Sequence, residues 1–177
     1  LGLQRQLEYP IVINHINEYI QINPNDIKSY LLLSNISITN NKYIDAVGYL
    51  HRALLINSKD ISANFSLGIA LMKLDQFDDA IIQFKKVIQL DMNHFEARHY
   101  LGYLLYKIDK YEDAASELTQ ALLLNSNNAQ TYYYLGKSYK SLNKMKQALE
   151  SFLMSIKIFP EYGESHYELG LIYQSIL

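Results

Sequence analysis

The chain has 177 residues, enough for one compact domain or one short repeat array. Hydrophobic residues make up 49% of it and charged residues 19%, with a formal net charge of −2, so a core can form but no whole-chain attraction to nucleic-acid phosphates is expected. Cysteine is absent, which excludes a disulfide framework, a zinc–thiolate site and a cysteine nucleophile.

In chain order, residues 1–26 carry one apolar helical stretch that stops at a turn around Pro24. Residues 27–60 hold two such stretches, with Tyr43 and Ala46 opening the second. Residues 61–94 show the pattern most plainly: a first stripe of Phe65, Leu67, Leu71 and Leu74, a polar turn at Asp75-Gln76, then a second stripe of Phe77, Ala80, Ile81, Phe84, Val87 and Ile88. Residues 95–128 and 129–162 repeat the arrangement, and 163–177 repeat its first half. The units end in Asn57-Ser58-Lys59, Asp91-Met92-Asn93 and Asn125-Ser126-Asn127, polar runs expected to stop one helix and cap the next.

One period governs all of this. Gly68, Gly102, Gly136 and Gly170 are 34 residues apart, and each follows a leucine. Ala46, Ala80, Ala114 and Ala148 keep the same interval, each preceded three residues earlier by Tyr43, Phe77, Tyr111 or Met145. A glycine inside a helix costs about 1 kcal/mol relative to alanine. Its recurrence implies that a paired helix comes too close for a Cβ, with the small alanine serving the same contact from the facing helix.

The run L-G-x2-Y/L, then A-x3-F/L, then proline after the second helix resembles the tetratricopeptide repeat. The resemblance covers essentially the whole chain: full repeats at 27–60, 61–94, 95–128 and 129–162, a second helix at 1–26, and a first helix at 163–177. It implies an all-α, right-handed α-solenoid of antiparallel helix pairs, with about ten helices and no sheet. Departures fall at single positions. The family tryptophan is replaced by Tyr30, Asn64, Arg98, Tyr132 and His166, Ser34 stands for one glycine, and the terminal proline is kept only at Pro24 and Pro160.

Catalytic chemistry finds no foothold. His15, His51, His94, His99 and His166 form no metal-ligand pair at helical spacing. Asp78-Asp79 and Glu112-Asp113 sit at helix starts, where acids complement the dipole. There is no Gly-rich phosphate loop and no G-x-S-x-G context. No catalytic, cofactor or metal residue is therefore assigned, and the chain is read as a non-enzyme without cofactor.

In the family, the second, fifth, sixth, ninth and thirteenth positions of the first helix line the concave face. Here the fifth-position row is Leu31, Phe65, His99, Tyr133 and Tyr167; the sixth is Leu32, Ser66, Tyr100, Tyr134 and Glu168; the ninth is Asn35, Ile69, Tyr103, Lys137 and Leu171. Tyr100, Tyr103, Tyr134 and Lys137 are the expected central contacts, with Lys73, Lys107, His99 and Tyr133 flanking. The lysines suggest a protein or peptide partner with acidic residues among apolar anchors. Single-stranded nucleic acid is disfavoured by the few lysines and near absence of arginine. The clamp that some relatives use for chaperone tails ending Glu-Glu-Val-Asp would fall on Leu31, Asn35, Ser66, Glu96 and Tyr100, of which only Asn35 matches.

The resemblance thus implies a protein-interaction module. The alternatives are a structural stretch of a longer scaffold within a large assembly, or an accessory region of an enzyme whose catalytic domain lies elsewhere. No apolar run approaches the roughly 20 residues of a membrane span, and the start lacks a secretion-signal pattern. With no cysteine, this suggests a cytoplasmic protein with no membrane insertion. The chain opens on Leu1 and closes on Gln174-Ser175-Ile176-Leu177 inside a repeat. The parent protein is expected to continue both ways, or its ends to be covered by another chain. Leu169, Ile172, Tyr173 and Ile176 would otherwise be exposed and promote self-association.

Overall fold

A computed structural model describes residues 2–174. Among them are ten helices and no strand: α1 (Gly2–Ile22), α2 (Ile27–Thr39), α3 (Tyr43–Ile56), α4 (Ile61–Lys73), α5 (Phe77–Leu90), α6 (Phe95–Lys107), α7 (Tyr111–Leu124), α8 (Ala129–Ser141), α9 (Met145–Ile158) and α10 (Gly163–Gln174). None of the described helices is long and apolar enough to cross a membrane. The chain divides within α5 into two compact units, Leu1–Gln83 and Phe84–Leu177. In the first, α2 packs on α3 and α3 on α4; in the second, α6 packs on α7, α8 on α9 and α9 on α10, and α6 also touches α8.

The turns inside the pairs have one construction. Asn41, Asp75, Asp109 and Asn143 adopt left-handed backbone angles with φ of 57–62°. The next residue's N–H reaches back to a carbonyl five residues earlier: Lys42 to Ser37 at 2.8 Å, Gln76 to Leu71 at 3.0 Å, Lys110 to Leu105 at 2.9 Å and Lys144 to Tyr139 at 2.9 Å. This is the Schellman ending of a helix. Asparagine and aspartate tolerate the left-handed region better than other residues with a Cβ.

The turns between pairs differ in detail from the sequence expectation. The Oδ1 atoms of Asn57, Asp91 and Asn125 accept from the backbone two residues on, closing the turn. The cap itself is the residue just before the helix. Asp26, Asp60, His94 and Asn128 each accept from the backbone N–H three residues later, at 2.8–3.3 Å. One of the N–H groups that every helix start leaves unpaired is thereby satisfied.

Four of the residues standing for the family tryptophan share a role. Tyr30 Oη, Asn64 Nδ2, Arg98 Nε and His166 Nε2 contact the carbonyls of Pro24, Ser58, Met92 and Pro160, each six residues earlier. A side-chain donor at this place ties the helix to the turn before it, whatever residue carries the donor.

The core follows the period. Ala46, Ala80, Ala114 and Ala148 are fully buried, and Leu67, Leu101, Leu135 and Leu169 nearly so. In the second unit, Ala148, Phe152, Leu169 and Ile172 form one buried cluster and Ala115, Leu118, Leu122 and Leu135 another. Complete burial of a side chain such as Phe152 contributes about 1.5–3 kcal/mol. Leu169 and Ile172 therefore pack against α9 rather than lying open as the sequence suggested, while Tyr173 is exposed. Ile176 lies outside the described residues.

A Cβ on Gly102 would stand 2.5 Å from Leu118 Cγ, and one on Gly136 would stand 2.7 Å from Phe152 Cε1. The close approach is present, but its nearest atoms belong to Leu118 and Phe152, not to the alanine row. At Gly170 nothing lies within 4 Å. Packing against a neighbour accounts for the first two glycines and not for the last.

Candidate functional site

In the second unit, α6, α8 and α10 carry the tyrosine-rich rows. His94 caps α6 and Asn128 caps α8, which fixes the phase in which their side chains leave the helix. Tyr100 and Tyr103 are three residues apart on α6, as are Tyr134 and Lys137 on α8, so each pair shares a helix face.

The rings meet. Tyr103 and Tyr134 cross edge to face with centroids 4.7 Å apart, Tyr133 and Tyr134 at 5.1 Å, and Tyr106 and Tyr134 lie 6.0 Å apart. Tyr133 reaches on to Tyr162 at 5.5 Å and to Phe152 at 6.0 Å. Tyr100 stacks on Phe84 at 5.6 Å. Edge-to-face pairs of this kind add about 0.5–1.5 kcal/mol beyond their buried area. Tyr100, Tyr103, Tyr106, Tyr133 and Tyr134 are half-buried, held by neighbours but open on one side.

Burial, then the surrounding phenols, raises the Tyr134 hydroxyl above its ordinary pKa, and burial does the same for Tyr133. The Tyr162 phenol is pushed up to about 12 by burial and by the Glu164 carboxylate. At neutral pH every one of these hydroxyls keeps its proton.

His99 is not a surface flank. Its ring is buried at 6% exposure, between Phe95, Tyr100 and Tyr134. Its Nδ1 lies 2.8 Å from Thr131 Oγ1, and that hydroxyl donates to Asn128 Oδ1 at 2.8 Å. The hydroxyl hydrogen is committed to Asn128, so Nδ1 of His99 carries the proton and donates. Burial lowers the His99 pKa to about 4, the field of Glu96 opposing it weakly, and the ring is neutral at pH 7. It joins α6 to α8 as a structural strut.

Lys137 is likewise engaged. Its Nζ lies 2.7 Å from Glu168 Oε1, and Lys140 Nζ lies 2.6 Å from Glu168 Oε2. Burial of Glu168 disfavours its charge, but the two lysine hydrogen bonds outweigh that and hold its pKa below the ordinary value. Burial likewise opposes the charge on Lys137, and the Glu168 hydrogen bond overcomes it. Lys107 is exposed at the end of α6, and Lys73, exposed on α4, belongs to the first unit.

The rows thus bring Tyr100, Tyr103, Tyr133, Tyr134 and Lys137 together and bury His99. They miss Tyr106, Tyr162 and Lys140. Tyr106 is a helical neighbour of Tyr103 three residues on, a spacing that could have revealed it. Tyr162 stands directly before α10, 34 residues after the cap residue Asn128, where a cap and not a ring is expected. No group of three or more His, Cys, Asp or Glu among the described residues could hold a metal ion.

Residues 73–155 match the family model described as "Anaphase-promoting complex, cyclosome, subunit 3". No curated protein matches. Among solved structures, MamA 41-end from Desulfovibrio magneticus RS-1 is 27% identical with a TM-score of 0.79, covering 82% of each chain. YrrB, described as a TPR protein with an unusual peptide-binding site, superposes with a TM-score of 0.83 at 20% identity, over 94% of this chain and 86% of its own. A further MamA structure gives a TM-score of 0.83 at 16% identity, over 91% of this chain and 94% of its own. The chain has the tetratricopeptide-repeat fold. Its all-α solenoid class follows from these superpositions together with the helix pairs. The tetratricopeptide fold serves as a frame for recognition, so the bearing of the tyrosine band on function rests on its own chemistry.

Proposed function

We propose that the chain is a non-enzymatic interaction module that holds an extended or helical segment of a partner protein against the α6–α8–α10 face. The observation that carries this is the half-buried tyrosine band: Tyr103, Tyr133 and Tyr134 hold one another edge to face, and Tyr100 is held by Phe84 and His99. Fixed rings lose little entropy on binding, and each offers a large apolar area with a polar tip. YrrB, of the same fold, is described as carrying a peptide-binding site.

The test is selection of binding peptides from a random displayed library, followed by calorimetric titration. The variant Tyr100→Ala with Tyr134→Ala should weaken the selected peptides by about tenfold or more while helicity is unchanged. Equal binding by that variant moves the interface off this face. A second reading, a structural stretch within a multi-subunit assembly, is favoured by the match of residues 73–155 to a complex-subunit family. It predicts no saturable peptide ligand and co-purification of the chain only with a large complex.

A further inference from the structure

We propose that a recess beside the start of α10 receives a lysine or arginine side chain of the bound partner segment. This rests on the interaction-module reading and names the chemistry of one of its pockets. The recess is lined by Tyr133, Gly163, Glu164, Tyr167 and Glu168, with a volume of about 460 Å³. It is shallow and open to solvent, and it suits the charged head and part of the stem of a long side chain laid along it.

Its walls are aromatic. The Tyr133 ring is held by Tyr134, Phe152 and Tyr162 at 5.1, 6.0 and 5.5 Å. Tyr167 is 67% exposed, an unusual amount of ring to leave in water. Aromatic faces attract cations, and most strongly where the site is partly desolvated.

Both charged residues of the lining are acids, and no lysine or arginine contributes to it. Glu168 is shared by Lys137 and Lys140, two cations on one acid, and offers no free negative charge. Glu164 has no ion-pair partner among the described residues, and its field reaches the phenols of Tyr133 and Tyr162. A first-turn acid alone would be expected from the helix dipole. The dipole does not account for the tyrosine walls beside it. Gly163, also in the lining, is exposed and leaves the start of the helix uncovered, with nothing within 4 Å of the place a Cβ would take.

The experiment uses the whole chain and the peptides selected from the random library. Each lysine or arginine of a selected peptide is replaced by glutamine and titrated against the parent chain, Glu164→Gln and Tyr167→Ala. One basic residue should prove necessary, its replacement weakening binding to the parent about tenfold, and the loss should fall to about twofold or less on Glu164→Gln. Tyr167→Ala should reduce the same loss. Peptides that depend on Tyr100 and Tyr134 but lose nothing with their basic residues, or lose as much on Glu164→Gln as on the parent, overturn the recess and leave the module standing. Peptides indifferent to the tyrosine pair, or none selected at all, overturn both.

Discussion

Alanine in place of three glycines separates close packing from mere recurrence. At Gly102 the added Cβ would lie 2.5 Å from Leu118 Cγ, 2.8 Å from its Cδ2 and 3.2 Å from its backbone nitrogen. Ordinary carbon contacts are 3.5–4.0 Å. A shift of about 1 Å is needed, and the nearby backbone nitrogen means that α7 itself must move. At Gly136 three atoms of the Phe152 ring lie at 2.7–2.9 Å, and that ring is rigid and fully buried. Overpacking costs about 1–3 kcal/mol, and the better helix propensity of alanine returns about 0.5–1 kcal/mol. Gly102→Ala should therefore lose about 1 kcal/mol and Gly136→Ala about 2 kcal/mol. Gly170, with nothing within 4 Å, should gain about 0.5–1 kcal/mol from the same change. In a chain of this size the midpoints of Gly136→Ala and Gly170→Ala should differ by about 5 °C or more. Urea and thermal unfolding followed by circular dichroism give the ordering. If Gly102→Ala and Gly136→Ala unfold at or above the parent midpoint, the glycines do not serve helix packing.

His99 makes stability depend on pH. Its folded pKa, about 4, lies below its ordinary 6.5, so its contribution is intact above 6.5 and is lost as pH falls toward 4. The loss is about 3 kcal/mol at most. Urea midpoints measured across that window should slope for the parent and flatten for His99→Gln. Glu168, whose pKa is lowered, adds a second loss below its ordinary 4.5. Glu168→Gln should destabilise by about 1–3 kcal/mol by leaving Lys137 and Lys140 uncompensated. Their 26% and 30% exposure keeps the cost moderate, and added salt should shrink it in the same urea assay. Ser37 Oγ is buried with no hydrogen-bond partner, so Ser37→Ala should raise stability by about 1 kcal/mol in thermal melts.

Sequence alone disclosed the architecture because the repeat writes the same contact several times. The alanine and leucine rows stand where single-residue periodicity placed them, fully or almost fully buried. What it could not disclose depends on a neighbouring unit. His99 occupies the same row as Tyr133, yet one is buried and the other half-open, because Thr131 on the next first helix offers His99 a partner. Lys137 reads as a free cation until Glu168, from a helix two further along, is brought beside it. The caps lie just beyond the polar runs that suggested them, since Asn57 and Asp60, three residues apart, are both good cap types and only the backbone path distinguishes them. Leu169 and Ile172 looked uncovered because a first helix was imagined to need its own second helix, whereas α9 already supplies the partner surface.

The four left-handed turn residues bear on how this protein tolerates variation. Among the described residues no glycine has a positive φ, and the four positions that do are Asn41, Asp75, Asp109 and Asn143. A saturation scan would therefore display two opposite fingerprints on the same 34-residue beat. At Gly102 and Gly136 almost every newcomer would be rejected for its bulk. Seven residues later, at Asp109 and Asn143, glycine would be the most welcome newcomer, and valine or isoleucine the least. Drift in related sequences would follow the same rhythm, with glycine free to appear at the bends while Gly102 and Gly136 stay fixed.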